Sequence, residues 1–301
     1  MKRLGLFILL GLVGLLPVGC AKTSSPDNPT SPSVSIRFFS FGHYGIGTDG
    51  TFNGGPSGIA LSGNFIYVAD DDFSAVDKFD LQGNFLGQNN YGFDTDLGGM
   101  AVDRSGNVYV ANYYYGTVDE LDSNLNYLKS FTGSGTFDGP FDVKVDINSN
   151  LFVTDYSNDA VYKVSQADVV LATSSGIPGG LYYPYQTAMT PDGHFYVADY
   201  DDSRVVGLDN NLAYTNQFDG SSGTAFSGPT GIASDRDGNL IVADYNNANV
   251  QKFTPSGTFI QSFGNTSVSN TFSSPYFVAV DSFNRIYVTD YDNENVSVFI
   301  Q

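Results

Sequence analysis

The chain of 301 residues carries 32 acidic against 13 basic side chains, a formal net charge of −19, which repels phosphate and anionic lipid and excludes a charge-driven nucleic-acid role. With 41% apolar and only 15% charged residues it can bury a core, and its 34 Gly, 24 Phe and 20 Tyr suit aromatic strands joined by tight turns. One cysteine excludes an intrachain disulfide or a thiolate zinc cluster, and two histidines leave little for a His-based metal site or proton relay.

The chain opens with Met1-Lys2-Arg3 and the apolar stretch Leu4 to Val18, too short to span a bilayer and suited to the core of a secretory signal. That stretch runs into Gly19-Cys20, and Cys20 is the sole cysteine. The arrangement resembles a bacterial lipoprotein signal, in which Gly or Ala precedes a cysteine that becomes diacylated, although Pro17 departs from the usual pattern. The resemblance implies a signal peptide over 1–19, lipidation at Cys20, and export with the lipid anchor as the only membrane contact. The alternative is ordinary cleavage beside an incidental cysteine. Ala21 and Lys22 lack the aspartate that resembles an inner-membrane retention signal, which in a two-membrane cell directs the protein to the outer membrane, at the periplasm or cell surface. Residues 20–33, rich in Ser, Thr and Pro, read as a flexible tether.

From residue 34 to 301 one motif recurs six times. Its marker is a short strand ending at Asp70, Asn112, Asp155, Asp199, Asp244 and Asp290, with spacings of 42 to 46 residues. Each copy has a Gly-Pro approach with a small apolar strand, a Gly-bearing turn, the marker strand, an Asn/Asp-rich loop, a third strand, and a fourth after another Gly turn. Four strands of this length form one twisted antiparallel sheet, and about 44 residues is the size of a propeller blade. One such sheet cannot cover both its faces, so the copies must stack. The sixth copy runs out after its third strand, while Ser35 to Gly42 (SIRFFSFG) matches the fourth-strand pattern of Gly257 to Gly264. The expected fold is therefore all-β: a six-bladed β-propeller of four-stranded antiparallel blades, whose last blade is closed by the N-terminal strand.

Gly228-Pro229-Thr230-Gly231-Ile232-Ala233, the Leu240–Asp244 strand and Val250-Gln251-Lys252-Phe253 resemble the NHL repeat family nearly literally, and blades two to four do so more loosely. The family includes binding scaffolds, sensors and a few enzymes, so the resemblance does not fix the function. NHL-type lyases that act on amidated peptides use a His-rich zinc centre, whose residues this chain lacks.

The terminal Asp of each marker strand could suggest a metal ring. A short carboxylate there also accepts backbone N–H bonds from the next turn, as Asn112 can, and that architectural reading is preferred. Asp235 to Gly238 lacks the later ligands of a calcium loop. The residue after the marker is Asp71 in the first blade and Tyr113, Tyr156, Tyr200, Tyr245 and Tyr291 in the others. These positions share one propeller face with Asp72, Asp159, Asp201, Asp202, Asp292 and Glu294, giving tyrosines interleaved with carboxylates. Such a surface suits sugars, peptides, protein surfaces and cationic groups. The alternative is that the rings simply pack between blades. In the first strands, Gly58, Gly99 and Gly231 are replaced in blades three, four and six by Asp142, Gln186 and Phe277, preceded by Phe141, Tyr185 and Tyr276. Broken symmetry at the channel mouth makes these six candidate ligand-binding residues; the competing view is that they plug the channel. His43 is expected on the tyrosine face and His194 on the opposite one, and no nucleophile motif accompanies either.

The leading expectation is a non-catalytic, membrane-tethered extracytoplasmic propeller that binds a protein, peptide or glycan as a monomer. No catalytic residue and no metal ligand is assigned, and no cofactor is expected, Ca²⁺ being the one ion the acids would suit. The alternative is a metal-assisted lyase or hydrolase acting at the channel mouth.

Overall fold

The computed structural model describes residues 37–42, 50–52, 54–70, 73–89, 96–263 and 272–300; the expected signal (1–19) and tether (20–33), with Cys20, His43, Asp71 and Asp72, lie outside them. The described residues form six four-stranded antiparallel sheets, the blades of a propeller, and no helix. The innermost strands are Pro56–Ser62, Leu97–Val102, Pro140–Val145, Pro184–Met189, Pro229–Ser234 and Pro275–Val280 for blades 1 to 6.

Burial explains the sequence pattern of each strand. The second strands, such as Leu151–Asp155, Phe195–Asp199 and Leu240–Asp244, are buried at every position. Both faces are covered by the neighbouring blades, so their sequences run apolar rather than alternating. The fourth strands sit at the rim and alternate, as in Tyr214–Phe218. A phenylalanine ending a fourth strand packs on an aromatic ring of the next blade: Phe218 lies 5.4 Å from Phe253, and Phe263 lies 6.1 Å from Phe299.

Polar side chains tie the turns. Asp103, Asp146, Asp235 and Asp281 each accept the backbone N–H groups two and four residues on, at 2.7 to 2.9 Å, closing the turn between first and second strands. The marker aspartates reach further than the sequence suggests. Asp155 accepts the N–H of Asn158 in the following turn, and also those of Asp138 and Gly139, the approach to the inner strand of the same blade. Asp244 and Asp290 bond the corresponding approaches through Ser227 and through Ser273 and Ser274. The carboxylate thus ties the two connections at one end of a blade.

Blade 6 combines Pro275–Val280, Arg285–Asp290 and Asn295–Ile300 with the N-terminal strand Arg37–Phe41. The join pairs Phe39 with Val298 and Phe41 with Val296. Phe41 also crosses to blade 1, its ring 4.9 Å from that of Phe79. Around the axis the inner strands approach so closely that a Cβ at Gly58 would collide with the Gly98 carbonyl, and one at Gly231 with that of Tyr276.

Candidate functional site

Every inner strand carries a register irregularity just after its first residue, for example between Pro140 and Asp142 and between Pro184 and Thr187. A bulge re-aims side chains, and here it divides the six sequence candidates in two. Phe141, Tyr185 and Tyr276 are half-buried at the mouth of the channel, whereas Asp142, Gln186 and Phe277 are fully buried beneath them.

The buried three knit blades together. Asp142 accepts the backbone N–H and the hydroxyl of Thr187 from blade 4, both at 2.8 Å, and pairs with Lys144 at 2.7 Å. Burial pushes its carboxyl above the usual carboxylate range, against the pull of Lys144. Gln186 accepts the N–H groups of Ile232 (2.8 Å) and Val278 (3.0 Å) and donates to the Val278 carbonyl (3.0 Å), strapping blade 4 to blades 5 and 6. Asp142 also explains a glycine, because a Cβ on Gly99 would strike its carboxylate and the Phe277 ring.

The other three join the loop tyrosines. The backbone N–H of Tyr113, Tyr156, Tyr200, Tyr245 and Tyr291 each bonds a carbonyl of its own blade's approach: Asp96, Gly139, Tyr183, Gly228 and Ser274. The rings of Tyr113, Tyr200 and Tyr291 lean toward the next blade, where Gly139, Gly228 and Gly55 make room. A Cβ on Gly139 would lie 2.7 Å from the Tyr113 ring, and one on Gly228 would lie 2.7 Å from the Tyr200 ring. So the rings do pack between blades, yet their inner edges meet the mouth residues in one network. Phe141 and Tyr185 have centroids 4.5 Å apart, Tyr185 and Tyr200 4.9 Å, Tyr185 and Tyr276 5.9 Å, and Tyr276 and Tyr291 5.5 Å.

Tyr183 belongs to this network and was not singled out in the sequence. It occupies the position held by Gly55, Gly139 and Gly228 in other blades, keeps a left-handed backbone (φ 54°), and stacks on Tyr156 at 4.3 Å with planes 10° apart. The Asp159 carboxylate accepts its N–H at 2.9 Å. The signal was present as Tyr-Pro where blades 1, 3 and 5 have Gly-Pro.

Two cups open in this aromatic cap, parted by Tyr185 and Tyr276. One, about 190 Å³, is lined by those two with Tyr200, Thr230, Tyr245 and Tyr291. The other, about 220 Å³, adds Tyr113, Phe141, Tyr156, Ser57, Asp96 and Leu97 to the shared pair. Burial raises the hydroxyl pKa of Tyr185 and Tyr156, so both phenols stay neutral at ordinary pH. Tyr114, Tyr115 and Tyr182 stand exposed on neighbouring loops of the same face. The opposite mouth holds a cavity of about 320 Å³ with mostly aliphatic walls, whose charged residue, Lys144, is committed to Asp142. His194 sits at that end in an exposed turn, 3.2 Å from Asp192. Among the described residues no three His, Cys, Asp or Glu side chains converge as metal ligands would.

Residues 226–253 match the NHL repeat family. The whole fold is similar to a protein of unknown function from Bacteroides thetaiotaomicron, at 18% identity and TM-score 0.72, covering 88% of this chain and 75% of that one. It is also similar to a gluconolactonase from Xanthomonas campestris, at 15% identity and TM-score 0.65, covering 91% of this chain and 98% of that one. Virginiamycin B lyase from Staphylococcus aureus shares the fold at 11% identity and TM-score 0.61, covering 82% of this chain and 95% of that one. At these identities the likeness is one of fold.

Proposed function

We propose that this NHL-repeat six-bladed propeller is a non-catalytic binding or scaffold protein, exported, held to a membrane through Cys20, and presenting its tyrosine face to a protein, peptide or glycan. The observation that carries this reading is the continuous aromatic cap: eight rings from five blades converge on one channel mouth, and three further tyrosines stand exposed around it. Tyrosine joins a rigid apolar body to a polar tip and loses little side-chain entropy on contact, which suits it to recognition. The buried Asp142, Gln186 and Phe277 hold the floor on which Phe141, Tyr185 and Tyr276 stand. In this reading the Ser/Pro-rich tether gives the propeller reach from the bilayer.

The test is a peptide and glycan array probed with the purified full chain and with a Tyr185→Leu/Tyr276→Leu variant, which removes the wall common to both cups. The reading expects a defined set of ligands that the variant loses while keeping its thermal transition. Equal binding by both proteins would overturn the placement on this face, and an empty array followed by turnover of a gluconolactone or of virginiamycin B would favour an enzyme.

A further inference from the structure

The cup beside blade 2 is chemically unusual for so acidic a molecule. Its walls are Tyr113, Phe141, Tyr156, Tyr185 and Tyr276, its one charged lining residue is Asp96, and no Lys or Arg contributes. Most neighbouring rings meet steeply, Tyr113 and Tyr156 at 77°, Phe141 and Tyr185 at 62° and Tyr185 and Tyr276 at 82°, whereas Phe141 and Tyr156 lie 36° apart. Rings so disposed wall a box, not a stack. Two of the cup's hydroxyl protons are committed, since Ser57 donates to the Leu97 carbonyl at 2.6 Å and the Tyr276 hydroxyl bonds that of Tyr185. Asp96 keeps a left-handed backbone (φ 79°), as Tyr183 does on the far side of Tyr156. Both are non-glycine residues in a conformation that costs energy unless its surroundings require it.

Electron-rich ring faces with a carboxylate attract cations. The kind of cation follows from hydrogen bonding. A primary ammonium or a guanidinium would bring three to five donors into a cup whose one charged acceptor is Asp96, at a desolvation penalty for each donor left unmet. A quaternary ammonium brings none. Resting on the binding role proposed above, we infer that this cup captures a trimethylammonium head group, as carried by choline or by Nε-trimethyllysine.

Calorimetric titration of the full chain tests this with choline and with 3,3-dimethylbutan-1-ol, its uncharged isostere of nearly the same shape. Choline is expected to saturate and to bind at least about tenfold more tightly than the isostere, because only the cation gains from the ring quadrupoles. Asp96→Asn is expected to weaken choline several-fold, Tyr156→Phe to retain it, and Tyr156→Leu to abolish it. Choline and Nε-trimethyllysine carry the same head on different bodies, so their relative affinity separates a free small molecule from a modified side chain. Equal affinity for choline and the isostere, or no saturation of choline at tens of millimolar, overturns the proposal on the unmodified protein, whatever the variants do. If the array yields ligands while choline does not saturate, this inference fails and the broader reading stands. If choline saturates while the array stays blank, the head-group site stands and the macromolecular ligand is lost.

Discussion

Tyr183 shows how a single residue can be costly for the backbone and useful at the surface. A left-handed conformation costs a non-glycine residue about 1–2 kcal/mol, and stacking on Tyr156 returns about 1 kcal/mol. Tyr183→Gly is therefore expected to lie within about 1 kcal/mol of the wild type in urea unfolding, while the unsupported Tyr156 ring weakens ligand capture; a loss of several kcal/mol would mean that the ring, not the turn, organises the loop. Asp244 illustrates a different tension. Burial lifts its carboxyl to about 6, although Ser227 and Asn247 donate to it. Because the folded value is raised, its contribution to stability is whole below about pH 4 and is lost as pH climbs through about 6. Asp244→Asn, the amide that blade 2 already uses at Asn112, cannot titrate. Its stability relative to wild type should therefore rise between pH 4 and pH 7, and parallel curves would refute the assignment. The five loop tyrosines were legible in the sequence because the repeat fixes their register. Tyr183 was not, because it replaces a glycine whose purpose, making room for a neighbour's ring, appears only in three dimensions.

Among elements, the inner strands decide what the channel can do. Their bulges turn one residue toward solvent and the next toward the axis, so that adjacent sequence candidates part company: Tyr185 lines both cups while Gln186 braces three blades. Removing the brace leaves the Ile232 N–H and the Val278 N–H and carbonyl without their partner in the interior. Gln186→Ala should accordingly lower unfolding free energy by about 3 kcal/mol, measurable by chemical denaturation, and a cost under about 1 kcal/mol would show that water replaces the amide there. Broken symmetry told where the repeats differ, but not which way a side chain would face. That direction depends on a one-residue irregularity, and nothing in Phe141-Asp142 or Tyr185-Gln186 announces it.

For the whole molecule, the ring rests on a join between distant parts of the sequence. The match of SIRFFSFG to a fourth strand made this readable, and the pairing of Phe39 with Val298 bears it out. Phe41 serves both sides of the join, bonded within blade 6 and packed on Phe79 of blade 1. Phe41→Ala should cost about 3–5 kcal/mol and speed amide hydrogen exchange together in 295–300 and 75–80. Faster exchange in only one of these segments would show that the two flanks open independently.

This join also orders events in time. Arg37–Phe41 has its hydrogen-bonding mate among residues 295–300, so a growing chain cannot finish its circle before that segment is made, however many blades have already collapsed. When that segment is present, a single pairing of Arg37–Phe41 with Asn295–Ile300 turns an open row of blades into a closed one, and the first and last blades then hold each other in place.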